Sequence, residues 1–148
     1  METPSLASLL AGRGYSTMAM HAYERAGYNR VKVYDRFGFE TYKGIEDFDV
    51  DLDYARGYPT DEANYRQLIS YFETVDEPTV VLFFGDHEPR LSNEFYSSWF
   101  TDENDLDLET TAQLHKTPFF IWGNYNLNTE SIQKGSVVSL NYLSTVLF

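Results

Sequence analysis

Continuous apolar segments of strand length alternate along the chain with segments of helical periodicity. Thr79 to Phe84 (TVVLFF), Phe119 to Trp122 (FFIW) and Tyr15 to Met20 (YSTMAM) predict buried strands, and Phe39 to Tyr42 predicts a further short one. The spacing of apolar residues, with Ser, Thr and Gly at the ends, predicts helices over 4–11, 29–37, 61–75, 92–99, 109–115 and 137–148. Helices that alternate with continuous apolar strands are typical of an α/β layered fold.

Composition narrows the classes of partner. The chain has 148 residues, with 11 Lys and Arg against 23 Asp and Glu, a net charge of −12 at pH 7. Its 43% hydrophobic and 17% aromatic content is enough for a packed core, which argues against a disordered chain despite the charge. The acidic balance argues against nucleic acid and against docking on an anionic membrane through a basic patch. An anionic substrate would therefore need a metal ion or a local arginine to receive it.

The absence of cysteine removes several kinds of site at once. Disulfides, thiolate–zinc sites, iron–sulfur clusters and cysteine nucleophiles are excluded. The longest apolar segments, 80–84 and 118–122, are far shorter than the ~20 residues that span a bilayer. The first residues show no signal-peptide pattern, so we expect the chain as given to be soluble, without a transmembrane segment.

The first candidate site is Gly85-Asp86-His87, directly after the strand over 79–84. Ligands of open α/β sheets bind beyond the carboxyl ends of strands, and Gly85 allows the chain to turn there. A carboxylate with an imidazole suits Mn²⁺, Zn²⁺ or Mg²⁺. Such an ion takes ~4–6 donors, so further ligands must come from elsewhere. The alternative is that Asp86 caps a turn and His87 is an ordinary surface histidine.

The second candidate site begins with His21, at the end of the strand over 15–20. Tyr28, Asn29 and Arg30 follow at the start of the next predicted helix, where unpaired N–H groups favour a phosphate. The Arg30 guanidinium matches phosphoryl oxygens as a fork, and His21 can donate a further hydrogen bond. The alternative is that Arg30 pairs with a surface acid and His21 is a polar residue flanking the helix.

Three segments stand in a fixed order along the first part of the chain: Arg13 to His21, Tyr28 to Arg30 and Tyr34 to Phe39. Together they resemble the lipoteichoic acid synthase and phosphoglycerol transferase branch of the sulfatase-like family. Members of that branch typically read G-Y-x-T-x-A-x-H, then W-N-R, then Y-x-x-x-G-F. Asp76 to His87 resembles the second metal motif of the family, and Thr117 to Tyr125 resembles its following strand. The matches cover nearly the whole chain in family order.

The resemblance implies an alkaline-phosphatase/sulfatase-like α/β/α sandwich with a mostly parallel central sheet, present here only in part. It implies a divalent metal ion, Mn²⁺ or Mg²⁺, held partly by Asp86 and His87. It also implies a glycerol-phosphate pocket that uses His21, Tyr28 and Arg30. Tyr28 stands where the family usually has Trp. We expect the two loop tips to converge, so that cation and oxyanion share one cleft.

The family's chemistry is transfer of phosphoglycerol at the extracellular face of the bacterial cell membrane. There a threonine attacks a phosphatidylglycerol-type phosphodiester, forms a phosphoglycerol–enzyme intermediate and passes it to an acceptor hydroxyl. That Thr and a metal-binding Glu lie in an N-terminal half that nothing here matches, so we expect the isolated chain to be inactive. The alternatives are a non-catalytic fragment or pseudo-enzyme, and a sulfatase or phosphoethanolamine transferase of the same fold.

The resemblance also predicts the domain organisation. Residues 1–148 correspond to the C-terminal portion of the catalytic domain, with an internal block absent near 58–76. In the family that block includes a strand and another substrate-binding histidine. Loss of a strand exposes apolar neighbours and unpaired edges, so the sequence also predicts self-association.

Overall fold

The computed structural model of the chain describes residues 4–88, 91–99, 107–128 and 135–147. The helices of these residues are α1 (Leu6–Ala11), α2 (Arg30–Arg36), α3 (Asp61–Phe72), α4 (Asn93–Trp99) and α5 (Leu108–Gln113). The strands are β1 (Met18–Met20), β2 (Thr41–Lys43), β3 (Tyr54–Ala55), β4 (Tyr58–Pro59), β5 (Val80–Phe84) and β6 (Phe119–Gly123). Short 3₁₀ helices occupy Gly27–Asn29, Ile45–Asp47 and Leu140–Leu147. The described residues divide into two compact units, one within Met1–Asp76 and Ile132–Phe148 and the other within Glu77–Ser131.

Local sequence sets the helix ends. The Ser5 hydroxyl accepts a hydrogen bond from the Ser8 N–H at 3.0 Å, and the Ser8 hydroxyl accepts one from the Ser5 N–H at 2.9 Å, which closes a capping box at α1. The Asp107 carboxylate caps α5 through the Thr110 N–H at 2.7 Å. Thr60 holds the N-cap position of α3 without a side-chain capping bond. The predicted helices are confirmed to within a few residues, although the C-terminal one is 3₁₀.

The β1–α2–β2 segment is a parallel crossover unit. Met18 pairs with Thr41 and Met20 with Lys43, so both strands end on the same side. The buried Thr17 hydroxyl donates to the Gly38 carbonyl at 3.1 Å and accepts from the Glu40 N–H at 3.2 Å, which fixes the return from α2 into β2. This geometry brings the loop after β1 beside the loop after β2.

Helix α3 ties the acidic segment before it to the same unit. Gln67 is 1% exposed, and its side-chain oxygen accepts the Asp49 N–H at 2.7 Å. The bond satisfies the buried side-chain oxygen, so the irregular chain before the β3–β4 hairpin has a fixed contact with the helix. The buried hydrophobic side chains of the unit are Ala7, Ala22, Tyr42, Ala63 and Leu143.

The second unit is built on an antiparallel pair. β5 and β6 align Val80 with Gly123 and Phe84 with Phe119, and the rings of Phe83 and Phe120 stack at 5.0 Å. A continuous apolar sequence is typical of the central strands of parallel sheets, but the neighbour of β5 among the described residues is antiparallel. Phe84 is 45% exposed and Trp122 44% exposed. An apolar sequence specifies that a strand is to be covered, but it does not specify the direction of the neighbouring strand.

Candidate functional site

The first site forms where β1 ends. The His21 N–H donates to the Lys43 carbonyl at 3.0 Å, which places His21 beside the end of β2. Tyr28 and Asn29 then have φ angles of 52° and 58° before α2 begins at Arg30. Left-handed backbone costs roughly 1–2 kcal/mol for a residue such as Tyr28, whereas asparagine adopts it more readily. Strain of this kind is concentrated at functional sites, and here it sets the direction of Tyr28 and Arg30.

Arg30 brings the predicted residues of this site together. One guanidinium nitrogen (Nη2) lies 3.2 Å from His21 Nε2. A guanidinium only donates hydrogen bonds, so Nε2 accepts and the hydrogen of a neutral His21 is on Nδ1. The guanidinium carbon lies 5.0 Å from the centre of the Tyr28 ring and 5.3 Å from that of Tyr23, within cation–π range. His21, Tyr28 and Arg30 therefore form one cluster.

The charge of Arg30 sets it apart from two other arginines of the same unit. Arg25 pairs with Asp47 at 2.7 Å, and Arg66 pairs with carboxylates at 2.7 and 2.9 Å. Within the described part of the chain, no carboxylate lies at ion-pair distance from Arg30. Among the described residues, Arg30 is therefore not neutralised by a surface acid, which was the alternative interpretation of this arginine. The cluster keeps an uncancelled positive charge in a chain of net charge −12.

The second site is the turn after β5. The Gly85 N–H donates to the Pro118 carbonyl at 3.1 Å, and the Thr117 hydroxyl donates to the Gly85 carbonyl at 2.8 Å. A Cβ at Gly85 would lie 3.0 Å from that of Thr117, so a glycine permits this close approach. The turn is thus fixed against the start of β6, and Asp86 and His87 follow it at once.

Asp86 and His87 fit as two ligands of a divalent ion. The Glu88 carbonyl lies 3.0 Å from His87 Nδ1 and can only accept, so Nδ1 carries a hydrogen and a neutral ring offers its lone pair at Nε2. Nε2 lies 3.8 Å from Asp86 Oδ2. Two neighbouring ligands at ~2.1 Å from an ion are roughly 3.0–3.4 Å apart, so a small movement would suffice. Across the described ranges, no group of three or more His, Cys, Asp or Glu side chains forms a complete metal site.

The two sites belong to different units of the chain. His21, Tyr28 and Arg30 lie in the first unit, and Asp86 and His87 lie in the second. The distances given above are therefore distances within one unit or within the other. Their convergence into one cleft remains a prediction.

Comparison with known proteins assigns the family. The family model described as Sulfatase matches residues 58–147, more than half of the chain. The chain belongs to the sulfatase family. It is also 30% identical over 108 residues to a protein of Rhizobium meliloti (strain 1021) provisionally described as a cyclic beta-1,2-glucan modification protein. The crystal structure of the lipoteichoic acid synthase LtaP from Listeria monocytogenes superposes with a TM-score of 0.54 at 19% identity.

These similarities confirm the predicted family and the alkaline-phosphatase/sulfatase-like α/β fold. The sulfatase match also shows membership of an enzyme family whose superfamily generally uses divalent metal ions. The aligned region is 70% of this chain and 16% of the Rhizobium meliloti protein. The superposition covers 81% of this chain and 46% of the LtaP chain, so the chain spans less than half of either relative. None of the helices in the described ranges is long and apolar enough to cross a membrane.

Two further residues beside the cluster of His21, Tyr28 and Arg30 were not predicted from the sequence, namely Tyr23 and Gly27. Tyr23 contacts Arg30 through its ring, and a Cβ at Gly27 would lie 2.8 Å from Tyr23 Cδ1 and 3.2 Å from Arg30 Nη1. The available signal was weak, because Tyr23 is one of 12 tyrosines and stands only two positions after His21. The contact depends on the left-handed turn, and the spacing of residues does not reveal it.

Proposed function

We propose that this sulfatase-family chain is part of a metal-dependent phosphoglycerol transferase that acts on a phosphatidylglycerol-type phosphodiester. The observation that carries the proposal is the Arg30 guanidinium, which His21 and two tyrosine rings hold without a neutralising carboxylate among the described residues. A positive charge held by neutral groups suits an external anion. The similarity to a lipoteichoic acid synthase supports a phosphoryl anion in particular.

Arg30 would bind two phosphoryl oxygens through its fork. Charge-assisted bidentate bonds of this kind are short and directional, and they position a ligand as well as attract it. His21 accepts from Nη2, and Nη1 donates a long hydrogen bond of 3.5 Å to the Gly27 carbonyl. The Nε–H and the second hydrogens of Nη1 and Nη2 are the donors that a ligand would use. Tyr28, which is 83% exposed, lies beside that charge and would contact the glycerol part of the substrate.

Asp86 and His87 would hold a divalent ion, Mn²⁺ or Mg²⁺. When bound, the ion supplies Lewis-acid stabilisation of phosphoryl charge. The hydrogen bond between His87 Nδ1 and the Glu88 carbonyl orients the imidazole toward Asp86. The further ligands that such an ion takes would come from outside these two residues.

The attacking threonine belongs, in this proposal, to a part of the protein that the chain does not contain. Thr17 follows the family's G-Y-x-T pattern, but its hydroxyl is buried and engaged with Gly38 and Glu40. We therefore propose that residues 1–148 form the C-terminal portion of the catalytic domain, with an internal deletion near 58–76 and no turnover in isolation. The complete protein would act at the extracellular face of the bacterial cell membrane.

The test is calorimetric titration of the full chain with glycerol 1-phosphate in the presence of Mn²⁺. We expect saturable binding that Arg30→Gln weakens about 10-fold or more, because a charge-assisted hydrogen bond contributes ~1.5–3 kcal/mol. The affinity of Arg30→Lys should lie between those of the wild type and Arg30→Gln, because lysine keeps the charge and loses the two-pronged guanidinium. Arg36→Gln, which removes an exposed arginine at the end of α2, is the matched control and should bind like the wild type.

Two results would contradict the proposal. One is a wild-type chain that does not bind glycerol 1-phosphate, and the other is binding that Arg30→Gln leaves unchanged. A clear preference for glycerol sulfate over glycerol phosphate would instead favour a sulfatase of the same fold. Phosphodiester cleavage by the isolated chain would show that its nucleophile is present after all.

A further inference from the structure

Arginine side chains need a partner to hold them in one conformation. Ordering an arginine costs about 2 kcal/mol of rotamer entropy, and carboxylates commonly supply the compensating contact. Arg25 and Arg66 are held in that way here, by Asp47 in one case and by Glu62 and Asp53 in the other. A carboxylate also cancels the charge, so an arginine that binds an anionic ligand must be held differently.

Arg30 is held by neutral groups, and Tyr23 is central among them. The Tyr23 ring lies 5.3 Å from the guanidinium carbon, 6.5 Å from the His21 ring and 6.1 Å from the Tyr28 ring. Its other neighbour, Tyr58 of β4, stacks on it at 6.2 Å with the planes 24° apart. Tyr23 thus contacts each of the three predicted residues of the site.

The backbone of Tyr23 is fixed independently of its ring. Its N–H donates to the His21 carbonyl at 2.8 Å, and its carbonyl accepts the Ile45 N–H at 3.0 Å. Gly27 leaves the space that the ring occupies, because a Cβ there would lie 2.8 and 2.9 Å from two Tyr23 ring carbons. The Tyr23 ring is therefore set by the loops after β1 and β2, and it can act as a fixed surface for Arg30.

We propose that Tyr23 is a positioning residue that holds the Arg30 guanidinium for a phosphoryl ligand and leaves its charge uncancelled. This inference rests on the proposed function, because it assumes that Arg30 binds the anion. Tyr23 itself does not touch the phosphate. The aromatic ring supplies the contact, so the hydroxyl of Tyr23 is dispensable and the π face is required.

The experiment compares Tyr23→Phe with Tyr23→Leu in the full chain, using glycerol 1-phosphate as the ligand. Phe keeps the ring, and we expect its Kd to remain within about 2-fold of the wild-type value. Leu removes the π face, and we expect Kd to rise roughly 3- to 30-fold, the range of a cation–π contact that is partly shielded from water. Tyr15→Leu removes a half-exposed tyrosine elsewhere in the unit and serves as the control.

A second readout is independent of the ligand. In the free wild-type chain, the Arg30 Nε–H and Cδ protons should show ring-current shifts in the NMR spectrum, and Tyr23→Leu should reduce them while Tyr23→Phe keeps them. If Tyr23→Leu unfolds the chain, Gly27→Ala replaces it. The added methyl group displaces the ring and Nη1, and it should reduce both the shifts and the affinity.

The outcomes separate this inference from the proposed function. If Arg30→Gln weakens binding while Tyr23→Leu does not, the positioning role is wrong and the phosphate site stands. If Tyr23→Phe raises Kd as much as Tyr23→Leu does, the hydroxyl acts instead of the ring, and the inference is also wrong. A wild-type chain that fails to bind glycerol 1-phosphate overturns both.

Discussion

At the scale of single residues, two neighbouring arginines have opposite roles. The Arg25 N–H donates to both oxygens of the Glu46 carboxylate at 3.0 and 2.9 Å, and its guanidinium pairs with Asp47. Asp47 in turn accepts the Gly44 N–H at 2.9 Å. This network joins the loop after β1 to the loop after β2 and so supports the backbone around His21 and Arg30, whereas Arg30 itself has no carboxylate partner among the described residues.

Asp47 gives this network a pH dependence. The Gly44 N–H bond and, after it, Arg25 hold the pKa of the Asp47 carboxyl below its ordinary value of 3.8. A carboxyl whose pKa is lower in the folded state contributes stability above its unfolded pKa and loses it as the pH falls through the folded value. Asp47→Asn should therefore lower the free energy of unfolding at neutral pH, and the deficit should shrink as the pH falls below 3.8.

Urea unfolding from about pH 7 to about pH 3 measures this difference. Asp35→Asn, which changes an exposed aspartate of α2, is the control and should stay close to the wild type throughout. A deficit for Asp47→Asn that is the same at every pH would show that the carboxylate charge does not carry the effect.

At the scale of elements, the β1–α2–β2 unit depends on a close contact with α1. Gly38 ends α2 with a φ of 80°, and a Cβ there would lie 2.9 Å from Ser8 Cβ and 3.0 Å from Ser8 Cα. Gly14 has a similar φ of 87°, but nothing lies within 4 Å of its Cβ position. The two glycines therefore share a backbone conformation and differ in the space around them.

Gly38→Ala should destabilise the chain more than Gly14→Ala. Both changes place a side chain in left-handed backbone, which costs roughly 1–2 kcal/mol. Only Gly38→Ala also forces α1 away from the turn, and such overlap adds about 1–3 kcal/mol. Denaturant unfolding of the two variants measures the difference, and equal losses would mean that the contact between Gly38 and Ser8 is not tight.

At the scale of the whole molecule, the chain carries two proposed partial sites and partly exposed apolar side chains. The proposed anion-binding residue, Arg30, lies in one unit, and the proposed metal ligands, Asp86 and His87, lie in the other. Phe84 and Trp122 of the antiparallel pair are each more than 40% exposed. Exposed apolar side chains favour contact with other apolar surface, and self-association of the chain stays a prediction.

If the two sites share one cleft, the binding of Mn²⁺ and of glycerol 1-phosphate must be linked. Mn²⁺ should raise the affinity of the chain for glycerol 1-phosphate. By reciprocity, glycerol 1-phosphate should raise the affinity for Mn²⁺ by the same factor, about 5- to 150-fold. Asp86→Asn should abolish this coupling. His115→Gln, which changes an exposed histidine of the same unit, should keep it.

Titration of each ligand with and without the other measures the coupling. Equal affinities in the two titrations would mean that the sites do not converge. The phosphate site at Arg30 would survive that result, but the single-cleft arrangement would not.

The sequence by itself determined the elements, the family and the identity of the clustered residues. Apolar periodicity and helix caps such as Ser5 are local, so α1, α2 and β5 could be predicted within a few residues. The motif from Arg13 to His21 and the Gly85-Asp86-His87 turn are also contiguous, and they pointed to the sulfatase family that the comparison confirms.

Only the tertiary structure decided which groups contact these residues and which strands pair. A chain with 23 acidic residues does not reveal that Arg30 is held by tyrosine rings and His21, because that choice depends on two left-handed residues and on the space left by Gly27. The antiparallel direction of β5 and β6 was likewise outside the reach of the sequence pattern. Periodicity records which side of an element is to be covered, whereas the covering group is chosen by chain segments that meet only on folding.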